Sequence, residues 1–172
     1  MAITPAHPDR ARLDWHRHGQ AAAAGSQRQH TFAHATPDDA ALDATFVALQ
    51  SAYRGHGGIA QGDLLATGLS RAGRGGYAEL ARRIVAGDLF SFRWHDAFWV
   101  PLFQFDPLLL NLRAAPHRVL KELHGVLDGW AIASWHVRPH AGLRGRRPLD
   151  LLDTDLSAVL AAARAERCAA EA

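Results

Sequence analysis

The chain has a single cysteine, Cys168, so no disulfide can close within it. A lone thiol fits a reducing compartment, and the expectation is a cytoplasmic protein. Lysine is equally scarce: of 19 basic residues, all but Lys121 are arginine. Arginine suits planar two-point contacts with carboxylate or phosphate, although a GC-rich coding sequence produces the same bias. An excess of one charge is also missing. The formal net charge is +2, so the whole-chain balance implies no nucleic-acid or membrane partner; only local placement of arginines could. No apolar run approaches the roughly 18 residues of a membrane span. The opening MAITPAHPDRARLDWHRHGQ has no continuous apolar stretch behind its basic residues, as a secretory leader would. A soluble chain without membrane contact is expected.

The usual signatures of catalysis are absent too. There is no Gly-x-Ser-x-Gly elbow, and RGHGG and RAGRGG lack both the Gly-Lys-Ser/Thr ending and the G-x-G-x-x-G spacing of phosphate-binding loops. Asp150, Asp153 and Asp155 sit among leucines and helix starts, where carboxylates serve as caps and dipole partners. The 11 histidines are scattered. His16 and His18 could chelate only weakly. His117 and His124 are two helical turns apart, about 10 Å, too far to share a tetrahedral zinc. His136 and His140 straddle Pro139. No metal, no cofactor and no enzymatic activity are expected, and the histidines read as surface residues.

What is present is a core. With 172 residues, 48% of them hydrophobic, the chain can bury one domain or two small ones. Residues 1–35 lack periodicity and read as a mobile tail. Thr36 suits an N-cap and Pro37 the first helical position, with Asp38 and Asp39 near the positive end of the dipole. Leu42, Phe46, Leu49 and Tyr53 then fall on one helical face. A short helix around Gln61 to Leu69 follows, then a loop from Ser70 to Gly76. A third helix buries Tyr77, Leu80, Ala81 and Ile84, with Gly87 as its left-handed terminator. LFSFRW alternates, placing Phe90, Phe92 and Trp94 on one face. HD makes a tight connection, although this pair is not a favoured hairpin turn, and AFWVPLFQF returns as a strand that Pro101 puts at an edge or ends. Helices are then expected over APHRVLKELHGVL, with Val119, Leu120, Leu123 and Val126 inward, and over GWAIASWHV, capped by Asp128. In the latter, Trp130, Ala133 and Val137 form one stripe and Ile132 and Trp135 another. Pro148 opens a short helix, and Thr154 or Asp155 caps the last one, which buries Leu156, Val159, Leu160 and Ala163.

The fold class expected is mainly α. A helix-turn-helix-like half with a short β-hairpin spans residues 36–105, and a helical half spans 106–172, with no flexible linker between them. Helix, short helix, loop, third helix and hairpin is the order of a winged helix-turn-helix, whose third helix enters the major groove. Arg71, Arg74, Arg82 and Arg83 gather on or before that helix, opposed there only by Glu79, and Arg93 projects from the hairpin. They are the candidate DNA contacts. A solvated surface explains the same arginines equally well, and the turn is long for the motif. Trp94, Trp99, Trp130 and Trp135, with Phe90, Phe92, Phe98, Phe103 and Phe105, offer more aromatic surface than a small domain readily encloses. Part of it is expected to face a partner.

WHVRPHAGLRGRRPLDLL, residues 135–152, is an arginine-rich loop stiffened by Pro139 and Pro148. Such a loop loses little entropy on docking and reads as a recognition element. With WVPLFQFD, VLKEL and LSAVLAAARAER, it resembles the toxin-binding domain of Xre/MbcA/ParS antitoxins over about residues 99–168. That domain carries a tryptophan, a Pro-Asn, a Leu-x-Gly, a basic residue or threonine, then a proline and a leucine-rich turn. Trp135, Pro139, Leu143, Gly145, Arg147, Pro148 and Leu152 match it. His140 departs, standing where the family has an asparagine suited to capping the turn. The resemblance implies a non-enzymatic antitoxin that binds a cognate protein toxin, commonly of the NAD-consuming RES type. It also implies a homodimer whose N-terminal half binds operator DNA. On that reading Trp135, Pro139, Leu143, Gly145, Arg147 and Pro148 shape the toxin-binding surface. Arg144 and Arg146 join them on chemistry, because guanidinium groups seek anionic surfaces. A DNA-binding regulator without a toxin is the competing expectation, and a dimeric scaffold a third.

Overall fold

The computed structural model describes residues 37–171. The tail expected over 1–35, with His16 and His18, and the Thr36 cap lie outside the described residues. The fold is mainly helical with one small antiparallel sheet. Helix α1 (Pro37–Tyr53) leads through a 3-10 turn to strand β1 (Ile59–Gln61), then α2 (Gly62–Arg71) and α3 (Tyr77–Val85). Strands β2 (Phe92–Trp94) and β3 (Ala97–Pro101) form the hairpin. Helices α4 (Ala114–Leu123), α5 (Gly129–Val137), α6 (Pro148–Leu151) and α7 (Leu156–Glu171) complete the chain.

The apolar spacing explains most of the packing. Phe46, Leu49 and Tyr53 are buried on one face of α1. Leu42, expected on the same stripe, is 45% exposed because it overhangs an open groove instead of the core. In α3, Leu80 is buried, and Gly87 takes the left-handed conformation (φ 71°) that lets Asp88 N–H reach Arg83 O at 3.0 Å. Tyr77 was expected inside but is 56% exposed, its ring meeting Phe98 edge-on at the rim of the sheet. Helix α4 ends at Leu123, one turn earlier than its apolar pattern suggests, so Val126 lies half-buried in the following turn. Asp128 caps α5 by accepting from Ala131 N–H at 2.8 Å. Asp155, not Thr154, caps α7, accepting from Ala158 N–H at 3.1 Å.

The sheet has the order β1-β3-β2, all antiparallel. Strand β1 was not foreseen: three residues without alternation carry no periodic signal. The hairpin turns on His95 and Asp96, with His95 in the left-handed region at φ 50°. Strand β3 is the central one and stops at Pro101, which has no N–H to give. The expected continuation through Phe105 is instead a 3-10 turn, Leu102–Gln104. There the buried Gln104 side chain substitutes for a strand. Its Oε1 accepts from Phe90 N–H and its Nε2 donates to Phe90 O, both at 3.0 Å.

Two apolar clusters result, and they do not divide at residue 105. The larger joins α1 and the hairpin to α4, α5, α6 and α7; the smaller holds α2, α3 and β3 around Leu65, Leu80 and Val100. Tyr53, at the end of α1, ties the first of these together by donating its hydroxyl to Ala133 O of α5 at 2.8 Å. The hairpin is held to α1 as well: Trp94 stacks on Phe46 at 3.8 Å and donates its indole N–H to Asp43 at 2.9 Å.

Candidate functional site

Helix α5 ends one residue before the Arg138-Pro139 step, and Pro148 opens α6 at its first turn. Between them the chain folds on itself. His140 N–H donates to Arg146 O, Leu143 and Gly145 N–H both donate to His140 O, and Arg144 N–H donates to Ala141 O, at 3.0–3.1 Å. Arg146 N–H closes the turn onto Leu143 O at 3.1 Å. Arg144 and Gly145 both take left-handed backbone, at φ 55° and 77°. His140 Nδ1 accepts from Gly142 N–H at 3.1 Å, so the imidazole does the capping that an asparagine would do there. Its Nε2 faces Glu166 at 3.8 Å.

The residues singled out in this segment sort into two groups. Trp135 and Leu143 are 7% and 4% exposed, and Pro148 is fully buried; these anchor the bend from below. Pro139, Arg144, Gly145 and Arg146 are exposed along its outer edge, as is Arg138 beside them. Arg147 belongs to neither group. It grips Asp150 with two hydrogen bonds of 2.7 Å, and this holds the Asp150 carboxyl below the usual range. His56, from the turn after α1, reaches the same carboxylate at 3.3 Å. Arg138, Arg144 and Arg146 make no hydrogen bond or ion pair through their side chains among the described residues. Arg146 and Arg144 lend a minor electrostatic pull to Asp155, whose low pKa comes chiefly from the N–H of Ala158 and the hydroxyl of Ser157.

Beside the bend lies a groove of about 490 Å³ between α1 and α5. Leu42, Trp130 and Pro139 line it, with Trp135 and Arg138. Trp130 is half-buried and donates its indole N–H to Arg93 O at 2.8 Å, which couples α5 to the hairpin.

The arginines singled out for DNA do not act alike. Arg71 and Arg74 are exposed and form no side-chain hydrogen bond or ion pair among the described residues. Arg82 and Arg83 both close on Glu79, at 2.8 and 2.7 Å. Their hydrogen bonds draw the Glu79 carboxyl down to about 2, so two guanidinium groups of this helix are engaged by the one carboxylate that opposes them. Arg93 is exposed and bends back toward His95 O at 3.4 Å.

Sequence reasoning read the histidines as surface residues, and His136 overturns this. It is 1% exposed, stacked on Phe90 at 5.6 Å, with Nδ1–H donating to Ile132 O at 2.9 Å. Burial drives its pKa down to about 4. Its place on the α5 stripe beside Ile132 and Ala133 was the signal that could have found it. Nε2 of His136 and the indole nitrogens of Trp99 and Trp135 are buried without a hydrogen-bond partner among the described residues. Among the described residues no three His, Cys, Asp or Glu side chains gather as a metal site would require. Neither a protein-family model, nor a curated protein, nor a solved structure matches this chain. Among the described residues no helix is long and apolar enough to cross a membrane.

Proposed function

We propose that this chain is a non-catalytic, antitoxin-like protein that binds and neutralises a cognate protein toxin through the bend at residues 138–147. The observation that carries the reading is the division of labour in that segment. Exposed Arg144 and Arg146, without a side-chain hydrogen bond or ion pair among the described residues, sit on a turn closed by its own backbone hydrogen bonds and pinned beneath by Trp135, Leu143 and Pro148. A preformed cationic edge of this kind loses little entropy on docking and offers two-point contacts to carboxylates. The His140 cap supports the resemblance to Xre/MbcA/ParS antitoxins at the position where the sequence departs from them. A cytoplasmic homodimer acting on a RES-type toxin, without a cofactor, completes the proposal. Its test is affinity purification from the native host with mass identification of what accompanies the chain. A toxin-sized protein, encoded beside it and lost with the Arg144→Ala/Arg146→Ala double variant, is the expected result. A partner retained by that variant overturns it.

A second reading, operator binding by the N-terminal half, has its own support. Helix α1, strand β1, helices α2 and α3, and the hairpin follow in the order of a winged helix, with Arg71 and Arg74 unpaired among the described residues at the α2–α3 turn. The Glu79 pairing weighs against a strongly basic recognition helix.

A further inference from the structure

We propose that His140 is a proton-sensitive latch on the bend: the neutral ring holds closed the turn that carries Arg144 and Arg146, and the imidazolium releases it. Its consequence for a partner, a weaker grip in mild acid, rests on the partner-binding reading above; the latch itself belongs to this chain alone. The ring meets the 3-10 turn Ala141–Leu143 through one atom. Its Nδ1 accepts from Gly142 N–H at 3.1 Å, so the proton of the neutral ring sits on Nε2. A second proton can go only to Nδ1. That nitrogen then has no lone pair left and points a donor at a donor. Arg144, next in the turn, is held in left-handed backbone at φ 55°, a conformation costly for a residue with a Cβ. A turn under that strain loosens when its cap is lost.

The groups around the ring do not reverse the sign. From α7, Glu166 stands 3.8 Å from Nε2, too far for a hydrogen bond, and its side chain is 38% exposed. Nε2 carries a proton in both states, so charging the ring gains there only a solvent-screened attraction. From α5, Trp135 meets the ring edge-on at 5.8 Å, and Arg138 and Asp128, the latter engaged by Ala131 N–H, line the depression beside it. Helix α1 adds Leu42 and Thr45 to that depression and no charge. Asp155, at the start of α7, is held by Ser157 and by Ala158 N–H. Arg144 and Arg146 share the short bend with the ring, and like charge favours an imidazolium that swings away. The ring is 22% exposed, so it can turn to water without disturbing the core. The hydrogen bonds from Leu143 and Gly145 N–H to His140 O do not involve the ring, so the change is a local loosening.

Heteronuclear NMR of the full chain between about pH 7.5 and about pH 5.5, the interval in which histidines ordinarily charge, tests this. At the upper end the His140 ring is expected as the Nε2–H tautomer. As pH falls, the amide signals of Gly142, Arg144 and Gly145 are expected to move with the midpoint of that ring. Exchange of Gly142 N–H with water, corrected for its intrinsic pH dependence, is expected to rise about three- to tenfold. His140→Asn keeps an acceptor and removes the titrating group, so its bend amides are expected to stay still. Glu166→Gln is expected to keep the transition. An Nδ1–H tautomer, bend amides that do not follow the ring, the same shifts in His140→Asn, or a transition lost in Glu166→Gln would overturn the latch. None of these readouts needs a partner, so the two proposals fail separately. Bend amides indifferent to pH sink the latch and leave toxin binding; a partner retained by the Arg144→Ala/Arg146→Ala variant sinks toxin binding through the bend and leaves the latch.

Discussion

Trp135 fills the space beneath the bend at 7% exposure, so truncating it removes a large apolar surface that nothing else can replace. Trp135→Ala is expected to lower folding stability by roughly 3–5 kcal/mol. Trp135→Phe should cost less, because it keeps most of the ring and deletes a buried N–H that has no partner. Urea titration of both variants checks the order. His136 gives the acid dependence. Folded His136 resists protonation down to about pH 4, whereas an unfolded histidine takes its proton near 6.5. Stability is therefore complete above that range and falls as pH drops from about 6.5 toward 4, by roughly 3 kcal/mol in all. The depressed carboxylates, Glu79, Asp106, Asp150 and Asp155, act below that window, because their ordinary values already lie near 4. Thermal melts from pH 7 to pH 4.5 should show a slope that largely disappears in His136→Phe. An unchanged slope would place the acid sensitivity elsewhere.

Among the elements, the turn that follows β3 is held by one side chain. Gln104 satisfies both backbone groups of Phe90 and the carbonyl of Pro101 at 3.0–3.1 Å, all in buried surroundings. Gln104→Leu preserves apolar fit but orphans those groups, each at a cost of about 1–3 kcal/mol. The expected outcome is a loss of several kcal/mol, with faster amide exchange at Phe90 as the local readout. Gly129 marks another tight point. A Cβ there would stand 2.0 Å from Ser91 O, so α5 can lie against the strand only while that position is glycine. Gly129→Ala is expected to destabilise by about 1–3 kcal/mol, the usual cost of overpacking against backbone. Neither constraint has a sequence signature, because both arise where two distant segments meet.

For the molecule as a whole, the larger core cluster runs from Phe46 in α1 to Ala163 in α7, and Tyr53 bonds Ala133 across 80 positions of sequence. The described chain should therefore unfold in one transition. Tyr53→Phe is expected to shift that transition by about 1 kcal/mol without splitting it. Two resolved transitions in calorimetry would contradict a shared core. The helices that build this core were legible beforehand because their apolar residues recur at helical spacing: Val119, Leu120 and Leu123 are buried as their period requires. The hairpin was legible from the alternation of Phe90, Phe92 and Trp94, and the bend from its two prolines. The sheet's third strand was not, since three unpatterned residues acquire strand geometry only by pairing with β3.

The amino-acid order by itself determined where the helices run, where Asp128 and Pro148 start them, and that an arginine-rich bend interrupts the last part of the chain. These are local matters, decided within a few residues by periodicity, capping and the fixed φ of proline. Tertiary packing decided the rest. It left Leu42 partly exposed, buried His136 with its pKa lowered, joined Arg82 and Arg83 to one carboxylate, and left Arg144 and Arg146 without an ion pair among the described residues. Exposure and charge pairing depend on what stands opposite a side chain in space, and the one-dimensional pattern of residues does not contain that neighbour.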